Sequence, residues 1–200
     1  MGGLLLGLAF VLEGKYFWAG CALSVGVIFK IFPLFIVFLM VLAFPWKFLP
    51  GFVFGILILC LAPFLCQSPN YAYSQYVEWL GTLKSGDRSM LILEAAYRDF
   101  WLIIRYFNLP ISHEFYRGIQ VLTALGVSAV VLGARFKEVG ANKLSLLIVG
   151  LGFGWLTLFG PSTESSTYII LSPAFAYAIL ELFRSRLISQ WIFSAMGVIF

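Results

Sequence analysis

YFWAGCALSVGVIFKIFPLFIVFLMVLAF, residues 16–44, contains no Asp, Glu or Arg and one lysine, Lys30, three residues before Pro33. A helical crossing of a bilayer takes about 20 residues, so this run is too long for one straight span and too apolar for a helix of a water-soluble core. Pro33 lacks an amide donor and disfavours helix in the residues before it, which predicts two helices meeting near Lys30. Each arm then has about fourteen residues, roughly 21 Å at 1.5 Å per residue, short of a hydrocarbon core of about 30 Å. The expectation is a short hairpin, or a helix pair in a locally thinned and water-accessible region.

The rest of the chain reads the same way. Further apolar stretches cover residues 1–12, 48–66, 115–134, 144–160, 168–183 and 187–200. Across 200 residues, 62% of side chains are hydrophobic, 18% aromatic and 11% charged. Soluble domains carry about a quarter charged residues, so most of this chain has lipid as its solvent. A cytosolic enzyme, a disulfide-stapled secreted domain and a disordered tail are excluded. The expected fold is an all-α polytopic membrane bundle, one transmembrane domain over residues 1–200 with about six or seven membrane segments. Only residues 1–12 precede the first turn, and the run begun at Leu187 reaches Phe200 without a polar flank. This reads as a piece of a larger polytopic protein, truncated at both ends.

The formal charge of +4 implies no nucleic-acid partner, because basic residues of membrane proteins collect at cytoplasmic helix ends. Lys47, the trio Arg135, Lys137 and Lys143, and the pair Arg184 and Arg186 mark three cytoplasmic turns. Glu13-Gly14-Lys15 then joins them. Lys30, the segment 67–113 and the turn 161–167 lie on the outer side. Cys21, Cys60 and Cys66 have neither metal-ligand spacing nor an even count, so no disulfide framework and no metal site is expected. The opening Met1-Gly2-Gly3-Leu4 lacks a basic leader and a cleavage site and is not read as a signal.

The outer segment 67–113 carries Tyr71, Tyr73, Tyr76 and Trp79, then a stretch from Met90 to Phe107 interrupted by Glu94, Arg98, Asp99 and Arg105. Aromatics at headgroup level and charges on one face predict two interface-lying helices joined by Lys84-Ser85-Gly86-Asp87-Arg88. Glu94 with Arg98 and Asp87 with Arg88 read as local salt bridges, the first at four-residue spacing. Arg88 is also a candidate phosphate contact.

Two places carry candidate chemistry. Between two apolar runs, Phe159-Gly160-Pro161-Ser162-Thr163-Glu164-Ser165-Ser166-Thr167-Tyr168 offers one carboxylate and five Ser or Thr hydroxyls. Such a turn can hold a hydroxyl-rich ligand, with Glu164 orienting a sugar or accepting a proton. It can equally be a plain helix–helix turn, ended by Pro161 and capped by Ser or Thr. Lys30 is an ionisable group inside an apolar run, expensive unless it faces a cavity, a partner or the interface. It could neutralise the phosphate of a lipid carrier or simply snorkel. His113 reads as interfacial. Gly150-Leu151-Gly152-Phe153-Gly154 lies inside a membrane helix and reads as close helix packing, not a nucleotide fingerprint.

The run Ala19-Gly20 to Phe29-Lys30-Ile31-Phe32-Pro33-Leu34 resembles the signature of glycosyltransferase family 87. Gly160-Pro161-Ser162-Thr163-Glu164-Ser165, with Thr167-Tyr168 and Pro173, is similar to the late outer-turn motif of one branch of that family. The resemblance implies a membrane enzyme of GT-C type in the bacterial inner membrane. It would take a hexose, mannose in the best-known members, from a polyprenol-phosphate carrier to a lipid or glycan acceptor at the outer face. No cofactor beyond that lipid-linked sugar donor is implied. Carried over, Lys30 sits by the carrier phosphate, and Ser162, Thr163, Glu164 and Tyr168 line the sugar or acceptor pocket. The family's catalytic aspartate lies in a first outer loop to which nothing in this sequence corresponds, since Asp87 and Asp99 belong to a later loop. No catalytic residue is therefore assigned, and the chain resembles the C-terminal portion of such an enzyme, with a missing N-terminal half as a partner. A transporter or flippase fragment, or a non-catalytic membrane subunit, is the alternative; no internal inverted repeat supports a transporter.

Overall fold

A computed structural model describes residues 2–31, 33–85, 92–93 and 96–160, with residues 168, 169, 171, 172, 176 and 179. Regular structure among the described residues is helical. The helices are α1 (Gly2–Leu12), α2 (Tyr16–Phe29), α3 (Leu34–Ala43), α4 (Pro45–Cys66), α5 (Pro69–Ser85), α6 (Phe100–Tyr106), α7 (His113–Phe136) and α8 (Ala141–Phe159). Among the described residues α4, α7 and α8 are long and apolar enough to cross a membrane, and α1, α2 and α3 are shorter apolar helices.

The break at Lys30 falls where Pro33 places it: α2 ends at Phe29 and α3 begins at Leu34. The two arms, however, do not pair as a hairpin. α2 packs chiefly on α4 and α1, whereas α3 packs on α7 and α8. The α2–α4 contact explains the difference. At Gly20 an added Cβ would come within 2.7 Å of the Phe48 carbonyl oxygen, and at Gly51 it would overlap the Phe17 carbonyl. Side chains that small let two backbones touch, which is the main route to tight helix association where lipid supplies no hydrophobic drive. The Cys21 thiol donates to the Gly51 carbonyl at 3.3 Å across this crossing.

The second half of the bundle is pinned at both ends. The Arg135 guanidinium donates to the Leu42 carbonyl at 2.6 Å, satisfying a carbonyl in the last turn of α3. At the opposite end Phe35 packs on Trp155 with ring centroids 4.1 Å apart, and the Trp155 indole donates to Thr123 Oγ1 at 3.0 Å. Gln120 Nε2 donates to the Phe159 carbonyl at 2.6 Å, closing the last turn of α8. Gly152 lets Ile36 of α3 approach, but Gly150 and Gly154 face open space. Only one of the three glycines expected to serve close packing does so.

Between α4 and α7 the segment also differs from expectation. α5 forms where the first of the two helices was expected, with Tyr71, Tyr73 and Trp79 exposed and the Tyr76 hydroxyl donating to the Cys60 carbonyl at 2.8 Å. Of the second helix, expected from Met90 to Phe107, the described residues show α6. Asp99 halts it, in extended backbone, by accepting the Leu102 amide on Oδ1 at 3.1 Å as an N-cap. Arg98 precedes α6, and Glu94, Asp87 and Arg88, with the salt bridges expected of them, lie outside the described residues. The three cysteines are free.

Candidate functional site

The end of the bundle that carries Lys30 also gathers the polar and aromatic groups of α6, α7 and α8. Phe35, one turn beyond the Lys30 break, touches Trp155, and one turn further along α8 Phe159 packs against Phe100 and Tyr116. Lys30 itself is half-buried in extended backbone, φ −154° and ψ 116°, with its amide held by the Gly26 carbonyl at 3.0 Å. The turn that carries it is thus fixed by main-chain bonding, whatever its side chain does.

α6 and the first turn of α7 build the other part. Ser112 caps α7 by accepting the Phe115 amide at 3.2 Å, which orients His113 and Tyr116 toward α6. Trp101 packs on Tyr116 at 5.3 Å between ring centroids and on His113 at 4.9 Å. Asp99 is 6% exposed and Tyr116 1% exposed. Among the described residues the Tyr116 hydroxyl is buried without a hydrogen-bond partner.

Tyr168 joins this cluster: its hydroxyl donates to the Arg98 carbonyl. Tyr168, which follows the turn 161–167 in sequence, thereby meets the stretch that leads into Asp99; the turn itself lies outside the described residues. Burial pushes the Asp99 carboxyl above the ordinary aspartate range, against the lowering effect of backbone amides and of Arg105. Ser162, Thr163 and Glu164 lie outside the described residues, as does Arg88. Among the described residues no three His, Cys, Asp or Glu side chains gather as a metal site.

An acid whose folded pKa is raised contributes stability while protonated and loses it as pH rises through the folded value. Asp99→Asn keeps an N-cap of equal quality and removes that titration. The variant is expected to melt above the wild type at pH 7, and the gap is expected to close in acid. Asp99→Ala loses the cap as well as the titration, and is expected to lie about 1 kcal/mol below Asp99→Asn at every pH. Thermal unfolding in detergent across the acid-to-neutral range checks both; an Asn variant less stable at pH 7 than at low pH relative to wild type would refute the assignment.

Asp99, Trp101 and Tyr116 were not singled out by sequence reading. The signal was present in Asp99 itself, an N-cap residue type immediately before the apolar run Phe100–Ile104. Extending the helix pattern back to Met90 hid it.

The model of glycosyltransferase family 87 matches residues 1–161. The chain belongs to glycosyltransferase family 87. It is a membrane protein of that family, with α4, α7 and α8 as candidate spans. The matched region takes in Lys30, Asp99, Trp101 and Tyr116 and stops at Pro161, before Glu164 and Tyr168. No curated protein and no solved structure matches the chain.

Proposed function

We propose that this family 87 chain acts as a multi-pass GT-C type protein of the bacterial inner membrane, in the transfer of a hexose from a polyprenol-phosphate carrier to a lipid or glycan acceptor at the outer face. Mannose is the proposed sugar, as in the family members it resembles. The observation that carries the reading is the family match across residues 1–161, with Lys30 at the same end of the bundle as the buried Asp99 cluster.

In such a transfer the acceptor oxygen attacks C1 of the sugar as the bond from C1 to the phosphate oxygen breaks. The bonding pair leaves with the phosphate, and the acceptor proton passes to a carboxylate. Lys30 would stabilise the charge gathering on the departing phosphate, and an ammonium is a suitable point charge for that task. Glu164, with Ser162, Thr163 and Tyr168, would bind sugar or acceptor hydroxyls. Arg88 would add a second cation near the phosphate. No bound cofactor is needed, because the donor carries its own leaving group.

Membranes from cells expressing the whole gene product, given polyprenol-phosphate [14C]mannose, are expected to move label into a new lipid- or glycan-bound product. Label that stays on the carrier, with mannose and glucose donors alike, would overturn the proposal. Label that changes membrane side without changing its lipid would point to a flippase instead.

A further inference from the structure

Two reversals of the chain meet at the end of the bundle opposite Lys30, since α2 runs from Tyr16 at this end to Phe29 beside Lys30. α1 closes at Gly14, which takes the left-handed backbone, φ 74°. The Gly14 amide bonds the Val11 carbonyl at 2.9 Å and the Lys15 amide the Phe10 carbonyl at 2.8 Å. This bond pair is a glycine termination of a helix, and it delivers Lys15 to the start of α2. α4 starts beside it, because the bare backbones at Gly20 and Gly51 let α2 and α4 touch just inside. Here an open cavity of about 400 Å³ is lined by Gly14, Lys15, Tyr16, Phe17, Trp18 and Lys47. Lys47 Nζ stands 5.5 Å from the centroid of the Tyr16 ring, which packs in turn on Phe44 at 4.6 Å. A cation at that distance is attracted by the ring face, which holds Lys47 at the cavity.

We propose that this cavity is a site for the phosphodiester headgroup of an anionic phospholipid in the cytoplasmic leaflet. The ligand is a lipid of the bilayer itself, neither donor nor acceptor, and the inference does not rest on the transferase reading.

Two ammonium groups on one cavity are point charges suited to a phosphate. The start of α2 adds to them, since among the described residues no side chain caps its first turn and the amides of a helix start favour an anion. The wider field has the same sign. Arg135 is fixed at this end by its bond to the Leu42 carbonyl. With Lys15, Lys47, Lys137 and Lys143 it sets five cations against Glu13 and Glu138 among the described residues of the three turns there. Such an excess of lysine and arginine marks the cytoplasmic side, where anionic lipids collect and basic pockets between membrane helices bind their headgroups.

The rim favours a lipid over a soluble phosphate. Trp18 on the cavity and Trp46 beside Lys47 in sequence are 57% and 88% exposed, and indoles so placed sit at headgroup level with their rings toward the acyl chains. The opposing charge is Glu13, paired with Lys15 at 2.8 Å. Both side chains of that pair are more than half exposed, and a pair of this kind is weak enough for a phosphate to take Lys15 from it.

The chain in maltoside micelles, titrated with dioleoylphosphatidylglycerol and followed by native mass spectrometry, is expected to take up one lipid saturably. Binding should be tighter than that of dioleoylphosphatidylcholine. Lys15→Gln and Lys47→Gln are each expected to weaken it about fivefold, the share of one basic residue near an anionic surface, and the double variant about 25-fold. Lys47→Arg keeps the charge and should stay near wild type. Glu13→Gln releases Lys15 and should tighten binding, so the site is also read by a variant that removes no cation. Lys15 and Lys47 are exposed, and every variant is expected to melt with the wild type. Lys137→Gln with Lys143→Gln is the control, because both lysines lie at this end but outside the cavity lining; affinity should stay close to wild type.

Equal binding of the two lipids by the wild type would overturn the proposal, as would wild-type affinity in the Lys15→Gln, Lys47→Gln double variant. An equal loss in the Lys137 and Lys143 control would overturn it as well, by making the attraction a diffuse field of the whole end and not a site. Displacement of the lipid by millimolar inorganic phosphate would overturn the lipid assignment and leave a site for soluble phosphate.

Discussion

Gly51→Val is expected to leave the chain inserted in the membrane and to pull α2 away from α4. At this position an added Cβ overlaps the Phe17 carbonyl, a backbone group with no rotamer to escape into; Gly20 likewise faces the main chain of Phe48 and Phe52, and Gly55 the Ser24 side chain. Overpacking of a filled core costs about 1–3 kcal/mol when side chains can shift. Here the obstacle is main chain, so the cost is expected at or above the top of that range. Cys21 provides the readout, because its thiol donates to the Gly51 carbonyl inside the crossing. With Cys60→Ser and Cys66→Ser in the background, maleimide should label Cys21 slowly in the parent and rapidly in Gly51→Val. Gly126→Val is the control: nothing lies within 4 Å of a Cβ built there, and labelling should stay slow. Parental melting and slow labelling in Gly51→Val would show that α2 and α4 do not depend on this contact.

That crossing also marks the boundary of what could be read from the sequence. Helices were visible because apolar runs and their breaks are local properties: Pro33 divides α2 from α3, and Lys137 and Glu138 lie in the turn between α7 and α8. Partners were not visible. A helix as uniformly apolar as α2 or α4 has no polar face to say which side meets protein and which meets lipid. The information resided in small residues, Gly51-Phe52-Val53-Phe54-Gly55 on α4 and Gly20 with Ser24 on α2, at the four-residue spacing that lets backbones approach. The conspicuous glycines at 150, 152 and 154 drew the same argument to a helix where only Gly152 meets a neighbour. The site followed a similar pattern. Lys30 stood out as a lone charge in an apolar run, whereas Asp99 and Tyr116 gain their character from burial that α6 and α7 create together. Locally Asp99 reads only as an N-cap before Phe100 and Tyr116 as an ordinary aromatic, so no pattern in either stretch marks it as part of a site.

Lys30→Ala is expected to abolish transfer while leaving insertion and folding intact, and the two halves of that expectation have separate causes. A lysine within an apolar membrane segment carries an insertion cost, about 2.5–3.5 kcal/mol at the centre of a helix and less near an end. Its removal should be neutral or slightly stabilising. The backbone at Lys30 is extended, which any residue adopts, and its amide bond to the Gly26 carbonyl does not involve the side chain. The turn should therefore survive, with Phe35 still seated on Trp155. In the proposed reaction the ammonium faces the departing phosphate, and deleting a group of that kind costs roughly 10²–10³-fold in rate. Lys30→Arg should restore a measurable fraction, since the charge remains while its shape changes. Glu164→Gln should match the loss if the carboxylate handles a proton or orients the sugar, because the amide preserves size and hydrogen bonding but cannot accept that proton. If Lys30 only snorkels to the interface, Lys30→Ala will turn over donor at the wild-type rate with the same unfolding temperature. A variant that is more stable and inactive is the outcome that separates a phosphate contact from a membrane anchor, because an anchor has no reason to cost stability and nothing to give the reaction.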